Sequence, residues 1–189
     1  MTDKKRCIWV SDDPIYIQYH DHEWGVPVFD DRKLFEFINL EGAQAGLSWI
    51  TVLKKRENYR QLFDHFDPIK ISQYNSKKIE QLLKNPGIIR NRLKIEATIT
   101  NAKAYLTLLK EWDSFSQYIW HFVDGHPVQN HRKHFKNVPN KTPVSDCMSK
   151  DMKKRGFKFT GSTICYAFMQ AVGMVNDHTI DCFRYKECL

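Results

Sequence analysis

Long hydrophobic runs are missing from this chain. The longest apolar stretches, such as residues 167–175 with Gln170 inside, fall far short of the roughly 20 residues a membrane span requires. The opening segment MTDKKRCIWV carries charge but no apolar core, so no secretory signal is expected. Cysteines are few and odd in number, at positions 7, 147, 165, 182 and 188, without the spacing of a disulfide framework. That excludes a disulfide scaffold and predicts a cytoplasmic protein with reduced thiols. Stretches alternating apolar and polar residues are scarce, which argues against a sheet protein, and nothing repeats. Two catalytic zinc signatures also fail. His22-Glu23 is followed by Trp24, Gly25 and Val26, so no His-Glu-x-x-His helix exists, and no Pro-Cys-x-x-Cys deaminase pattern occurs.

What is present is enough for a packed core. The 189 residues are 42% hydrophobic and 13% aromatic, which excludes a disordered chain. Residues 1–189 read as a single domain, helical lobes sharing one core. Lys and Arg outnumber Asp and Glu by 29 to 22, a formal charge of +7. Such an excess points to a polyanion such as nucleic acid, although many basic proteins bind none.

Helical periodicity dominates. Asp30-Asp31 precedes the apolar face Leu34, Phe35 and Ile38. Residues 48–63 read as one long helix carrying Ile50, Leu53, Tyr59 and Phe63, and Asp67-Pro68 marks a break. Further helices are expected over 76–84 and over 91–110, the latter with Ile95, Ile99, Ala102 and Leu106 on one face. Ser114 and Gln117 suggest a capping box before Ile119 and Phe122. Thr142-Pro143 opens a helix reaching Arg155. Ile164, Ala167, Phe168, Ala171 and Val172 form the face of a last buried helix, and residues 124–141 the longest loop. The prediction is an all-α bundle of about eight or nine helices.

Three constellations carry chemistry. The first is the turn KKRGFKFTG at 153–161, where Gly156 and Gly161 bracket a basic hairpin between two helices. The free N–H groups of the second helix can meet a phosphate, and Lys153, Lys154, Arg155 and Lys158 add charge there. The pattern is that of a helix-hairpin-helix contact to a DNA backbone; an ordinary solvated turn has similar punctuation. The second is a possible metal set split between the ends, Cys7 and His20 with His178 and Cys182. The last two, at i and i+4, would share one face of a helix, and two thiolates with two imidazoles suit a closed tetrahedral Zn²⁺. Buried thiols beside unrelated histidines are the simpler explanation of the spacing, and His22, His131, His134 and Cys188 are not eliminated. The third is LEGAQAGLSW at 40–49, where Glu41 ends an apolar helix face, small residues follow, and Trp49 closes the run. Trp9, Tyr16, Tyr19 and Trp24 cluster upstream. A flat base would stack on such rings and donate to a carboxylate, and a cationic base would gain from both. A core of aromatics with Glu41 capping a helix or pairing with a lysine is the alternative.

Together these motifs resemble the DNA-3-methyladenine glycosylase I family, of constitutive bacterial type, within the helix-hairpin-helix glycosylase superfamily. The resemblance runs from Cys7 to about Cys182. It rests on DPIYIQYHDHEWGVP at 13–27, on residues 40–56, on GIIR at 87–90, and on residues 153–175 followed by Asn176, Asp177 and His178. It implies a monofunctional hydrolase that releases 3-methyladenine from alkylated double-stranded DNA, the first step of base excision repair. It also implies one structural Zn²⁺ on Cys7, His20, His178 and Cys182, joining the two terminal segments. Glu41 becomes the base-recognition carboxylate, with Trp49 and Tyr19 in the pocket and Trp9, Tyr16 and Trp24 near it. Leu47 becomes a candidate wedge into the gap left by the flipped nucleotide. Lys153, Arg155, Gly156, Lys158 and Gly161 become the DNA-backbone contact, aided by Lys54, Lys55 and Arg56. The wider superfamily often places an Asp where Asn176 stands here, so Asp-assisted or lysine-nucleophile chemistry is not implied. A monomer suffices for such a task, and no protein partner is implied.

Overall fold

The computed structural model describes residues 4–189; the first three residues of the charged opening segment lie outside the described residues. The described residues fold into ten α-helices, several of them short, with a two-residue parallel ribbon. The helices are α1 (Pro14–His22), α2 (Asp31–Gln44), α3 (Trp49–Leu53), α4 (Arg56–Leu62), α5 (Pro68–Ser72), α6 (Ser76–Lys84), α7 (Arg92–Leu108), α8 (Phe115–Trp120), α9 (Pro143–Lys154) and α10 (Ser162–Ala171). No helix among the described residues is long and apolar enough to cross a membrane.

Capping chemistry sets most of the helix starts. Asp13, Asp30, Asp67, Asn75, Asn91, Ser114 and Thr142 each accept a first-turn backbone N–H, which satisfies a donor the helix leaves unpaired. At Ser114 the expected box is only half made. Ser114 Oγ accepts from the Gln117 amide, but the Gln117 side chain accepts from the Asp113 amide rather than from Ser114. The reciprocal box lies instead at Thr142 and Ser145.

The helix expected over 48–63 is broken. α3 ends at Leu53, Lys54 and Lys55 make a tight turn, and α4 starts at Arg56. Arg56 is the reason: its guanidinium is buried, donating to Glu36 at 2.6 Å and Glu23 at 2.7 Å, which draws the chain inward. The loop expected over 124–141 is also not featureless. Val128–Gln129 (β1) pairs in parallel with Val175–Asn176 (β2), and a bridge joins Arg132 to Thr179.

α2 is the axis of the core. Every residue from Leu34 to Ala43 is buried, and the helix packs against α3, α7, α8 and α10. Gly42 makes one of these approaches possible, since a Cβ there would lie 3.0 Å from the Cβ of Phe159 in the hairpin. Beside it, Asn101 on α7 accepts from the Lys158 amide at 2.7 Å and donates to Asn39 on α2 at 2.9 Å. The hairpin is thereby tied to the helix that carries Glu41. On α10 the buried face centres on Cys165, Phe168, Met169 and Val172, while Ile164 and Ala167, predicted for the core, are only half-buried.

Candidate base-binding cleft and metal cluster

Glu41 sits three residues before the end of α2, and its carboxyl group is buried with no hydrogen-bond or ion-pair partner among the described residues. Burial pushes its pKa up to about 8. Neither alternative suggested for it, a helix cap or a lysine partner, is present. It opens into a cleft of about 440 Å³ whose walls include Trp9, Tyr16, Tyr19, Trp24 and Trp49. All six residues singled out from the sequence therefore meet in one cavity. Tyr19 and Trp49 lie 5.5 Å apart, Trp9 stands 5.0 Å from both Tyr16 and Trp24, and the indole N–H groups of Trp9 and Trp49 are buried without an acceptor. Burial raises the pKa of the Tyr16 and Tyr19 hydroxyls, and Glu41, where it is ionised, raises them further.

Sequence reasoning missed part of the lining. Gln44, one turn beyond Glu41, belongs to it, as do Tyr166, Ala167 and Gln170 on α10. Ala167 is predicted from its spacing for the buried face of that helix, and Tyr166 and Gln170, one turn apart, would have been found only by asking which residues flank that face. The loop residues Phe135, Val138, Pro139 and Asn140 complete the wall and carry no local signal. Asp177, next to the position where the wider superfamily has its Asp, is buried and fully engaged. It accepts from Asn130, Arg132, the Tyr166 hydroxyl and Gln170, all within 2.9 Å. Asn176 instead donates to the Tyr185 and Cys188 carbonyls.

The four donors Cys7, His20, His178 and Cys182 converge, all buried, with ligand atoms within 4.8 Å of one another, a set that could hold a metal ion. The S···N separations are 3.4 Å from Cys182 to His20, and 3.5 Å from both cysteines to His178. His178 and Cys182 do not share a helix. They lie on a tight turn in which the Cys182 amide donates to the Thr179 carbonyl. Asp21 holds His20 Nδ1 at 2.8 Å, and the Trp24 carbonyl holds His178 Nε2 at 3.1 Å. Exposed His22 and His134, His131 beside Tyr185, and buried Cys188 stand outside the cluster. Trp24 packs edge-on against His178 at 4.6 Å and also lines the cleft, so cluster and cleft share a wall.

The basic residues divide. Lys153, Lys154 and Lys158 are exposed around the hairpin, where Gly156 takes φ +93° and Gly161 opens α10 without a side-chain cap. Arg155 is spent on structure, paired with Asp151 at 2.7 Å and Glu111 at 2.9 Å. Of the supporting trio, Lys54 pairs with Asp13, Lys55 donates to the Pro86 carbonyl, and Arg56 is buried. Arg155, Lys54 and Arg56 thus have their charge matched by carboxylates, whereas Lys55 keeps an unpaired charge on a carbonyl-bound ammonium. Leu47 is 38% exposed in the turn between α2 and α3, its carbonyl held by Gln44.

Residues 9–185 match the methyladenine glycosylase family. The chain is 54% identical to DNA-3-methyladenine glycosylase 1 of Escherichia coli strain K12, over 96% of this chain and 97% of that one. A crystal structure of 3-methyladenine DNA glycosylase I superimposes with a TM-score of 0.93 at 58% identity, covering 95% of this chain and 98% of the other. The Staphylococcus aureus enzyme, solved for its recognition of 3-methyladenine, superimposes with a TM-score of 0.92 at 37% identity, covering 94% and 95%. The fold is that of a glycosylase, a hydrolase of N-glycosyl bonds. More narrowly, the chain belongs to the methyladenine glycosylase family.

Proposed function

We propose that this chain is a monofunctional DNA glycosylase that removes 3-methyladenine from alkylated double-stranded DNA, opening base excision repair. The observation that carries this reading is Glu41, a buried carboxyl group without a partner, set among aromatic rings in the wall of a cleft. Residues 1–189 act as one domain, as a cytoplasmic monomer.

Methylation at N3 makes the adenine a cation and weakens its bond to the sugar. The C1′–N9 electron pair returns to the ring as the bond breaks, so the base leaves neutral without protonation. Water adds to C1′ and loses its proton to solvent. The protein's task is then selection and positioning rather than acid catalysis. The nucleotide flips out of the stack, which costs least for a damaged base. Leu47 enters the gap, while Lys153 and Lys158 with the uncapped start of α10 hold the backbone. The cationic base stacks against Trp49 and Tyr19, and the exocyclic amine donates to Glu41. In the empty cleft Glu41 is largely protonated at neutral pH, because its pKa stands near 8. A cationic base favours the carboxylate, so binding drives off a proton. Unmethylated adenine brings the same amine but no charge and gains less from Glu41 and the rings, about 0.5–2 kcal/mol of which is the cation–π term. The shape of the cleft supplies further discrimination.

The four donors suit Zn²⁺. A tetrahedral zinc bonded to sulfur and nitrogen at its usual distances has an S···N edge of about 3.6 Å, close to the separations found. The carboxylate and carbonyl behind the two histidines complete the usual outer shell. With four protein ligands such an ion is structural, tying residues 7–20 to residues 178–182. The reading is tested by incubating the protein with N-methylated DNA and measuring free 3-methyladenine, then repeating with Glu41→Gln. Release by the parent and a drop of at least tenfold in the variant are expected; equal release would remove Glu41 from the role.

A further inference from the structure

A second cavity, a groove of about 680 Å³, lies between the N-terminal segment, the loop before α9 and the turn that bears His178 and Cys182. Its lining is rich in cations. Lys5 is matched by Asp181 at 2.5 Å, and Arg6 grips Asp21 with its shortest contact at 2.7 Å. Lys133 and Lys136 are exposed and have no ion pair among the described residues. Phe135, between them, is 42% exposed, an unusual placement for a phenylalanine in a basic loop. Phe135 also lines the base cleft, so it is a wall common to both cavities. The loop is not a loose appendage. Arg132 bridges Thr179, and its carbonyl accepts from the Ile180 amide at 2.9 Å, which seats the loop on the turn carrying two of the four metal-cluster residues.

Resting on the glycosylase reading above, we infer that this groove is a second DNA-backbone site, separate from the hairpin. It takes the sugar–phosphate chain next to the flipped nucleotide, with Lys133 and Lys136 on two phosphates. A strand whose nucleotide enters the cleft must leave along a surface next to it, and phosphates follow one another every few ångströms along the strand. The groove is that adjoining surface, and its uncompensated charge has the sign the backbone requires. Phe135 stands at the boundary, one face toward the base and the other toward the neighbouring sugar. The seating of the loop on the turn that carries His178 and Cys182 gives the groove a fixed relation to the cleft.

The experiment uses the full-length protein and a duplex with one tetrahydrofuran abasic analogue. Affinity is measured from 50 to 200 mM salt for the parent, for Lys133→Gln/Lys136→Gln, and for Lys153→Gln/Lys158→Gln. Each neutralised phosphate contributes about 0.9 to the slope of log K against log salt. Loss of two contacts therefore flattens the slope by about 1.8, and the parent should lose about tenfold more affinity than the loop variant across that range. A loop-variant slope equal to the parent's, with the hairpin variant's slope reduced, would overturn the groove and leave the glycosylase reading standing. Failure of the parent to bind DNA or to release 3-methyladenine would instead sink the reading on which the groove rests. All these side chains are exposed, so melting curves should overlay. A Phe135→Ala variant should keep the parent's salt slope yet bind the analogue duplex several-fold less tightly. No loss of affinity would remove Phe135 from the boundary.

Discussion

Lys94 on α7 closes the end of the helix that carries Glu41: its ammonium donates to the carbonyl of Ala45, and to that of Ala43, at 2.7 Å each. Burial holds its pKa below the usual lysine range, yet the contact places a cation at a helix C-terminus, where the dipole favours it. The same two bonds fix the start of the turn that presents Leu47. Replacing Lys94 by Met leaves both carbonyls without this donor, at about 1–3 kcal/mol for the buried Ala43 group and less for the half-buried Ala45 group, which water can reach. The expected result is a melting temperature lower by several degrees and slower base release from duplex DNA, with partial recovery in Lys94→Arg. Unchanged values on both measurements would mean that the turn holds itself.

Glu41 links stability to pH with a definite sign. Its folded pKa, near 8, exceeds the ordinary 4.5, so between those values the folded chain binds a proton that the unfolded chain does not. Stability from this group is full below about pH 4.5 and falls as pH rises toward 8. Glu41→Gln removes that loss. The variant should gain melting temperature relative to the parent, and the gain should be larger at pH 8 than at pH 5. A pH-independent difference would show that the carboxyl is not held protonated.

Metal removal tests the cluster. One metal per chain is expected by elemental analysis. Cys182→Ser should lower that stoichiometry, and prolonged chelation should lower the melting temperature of the parent much more than that of the variant. A stoichiometry still at one in Cys182→Ser would show the ligand set to be wrong.

Gly25 reports on the same cluster without altering a ligand. It adopts φ +80°, and a Cβ there would lie 2.9 Å from His178 Nε2. Gly25→Ala should cost roughly 1–3 kcal/mol of stability from backbone strain. It should also weaken metal retention in a chelator competition, because the imidazole must move away from the Trp24 carbonyl that orients it.

Asp177 should behave as scaffold rather than as catalyst. Four donors already occupy its two oxygens, two of them from the cleft residues Tyr166 and Gln170. Asp177→Asn turns one acceptor toward donors as an NH₂ group and should destabilise by about 1–3 kcal/mol. In single-turnover base release the pH profile should keep its shape, since Asp177 takes no proton from water in this reading. Loss of a titrating limb would reverse that assignment.

Local sequence information by itself determined the helices and their boundaries wherever one side chain could satisfy the first-turn amides. Asp30, Asn91, Ser114 and Thr142 all act as caps, and the apolar spacing of Leu34, Phe35 and Ile38 faces the core. It also marked candidates for the cleft and the metal cluster, because carboxylates, indoles, thiols and imidazoles in a mostly apolar setting are chemically conspicuous, but it was the family resemblance, not the spacing, that chose Cys7, His20, His178 and Cys182 among them. Only the tertiary structure decided how these are used. The break at Lys54-Lys55 follows from Glu23 and Glu36, which draw Arg56 inward from distant helices. His178 and Cys182 meet through a turn rather than a helix, because their geometry answers to Cys7 and His20 across the chain. Arg155 and Arg56 looked like free charge until their carboxylate partners came into contact. The loop carrying Lys133, Phe135 and Lys136 had no periodicity to announce it, and its place beside the cleft depends on a pairing with residues near the other end of the chain. Charge, burial and distance between remote residues are properties of the folded chain, and in this protein they separate structural cations from those left exposed at the hairpin and the groove.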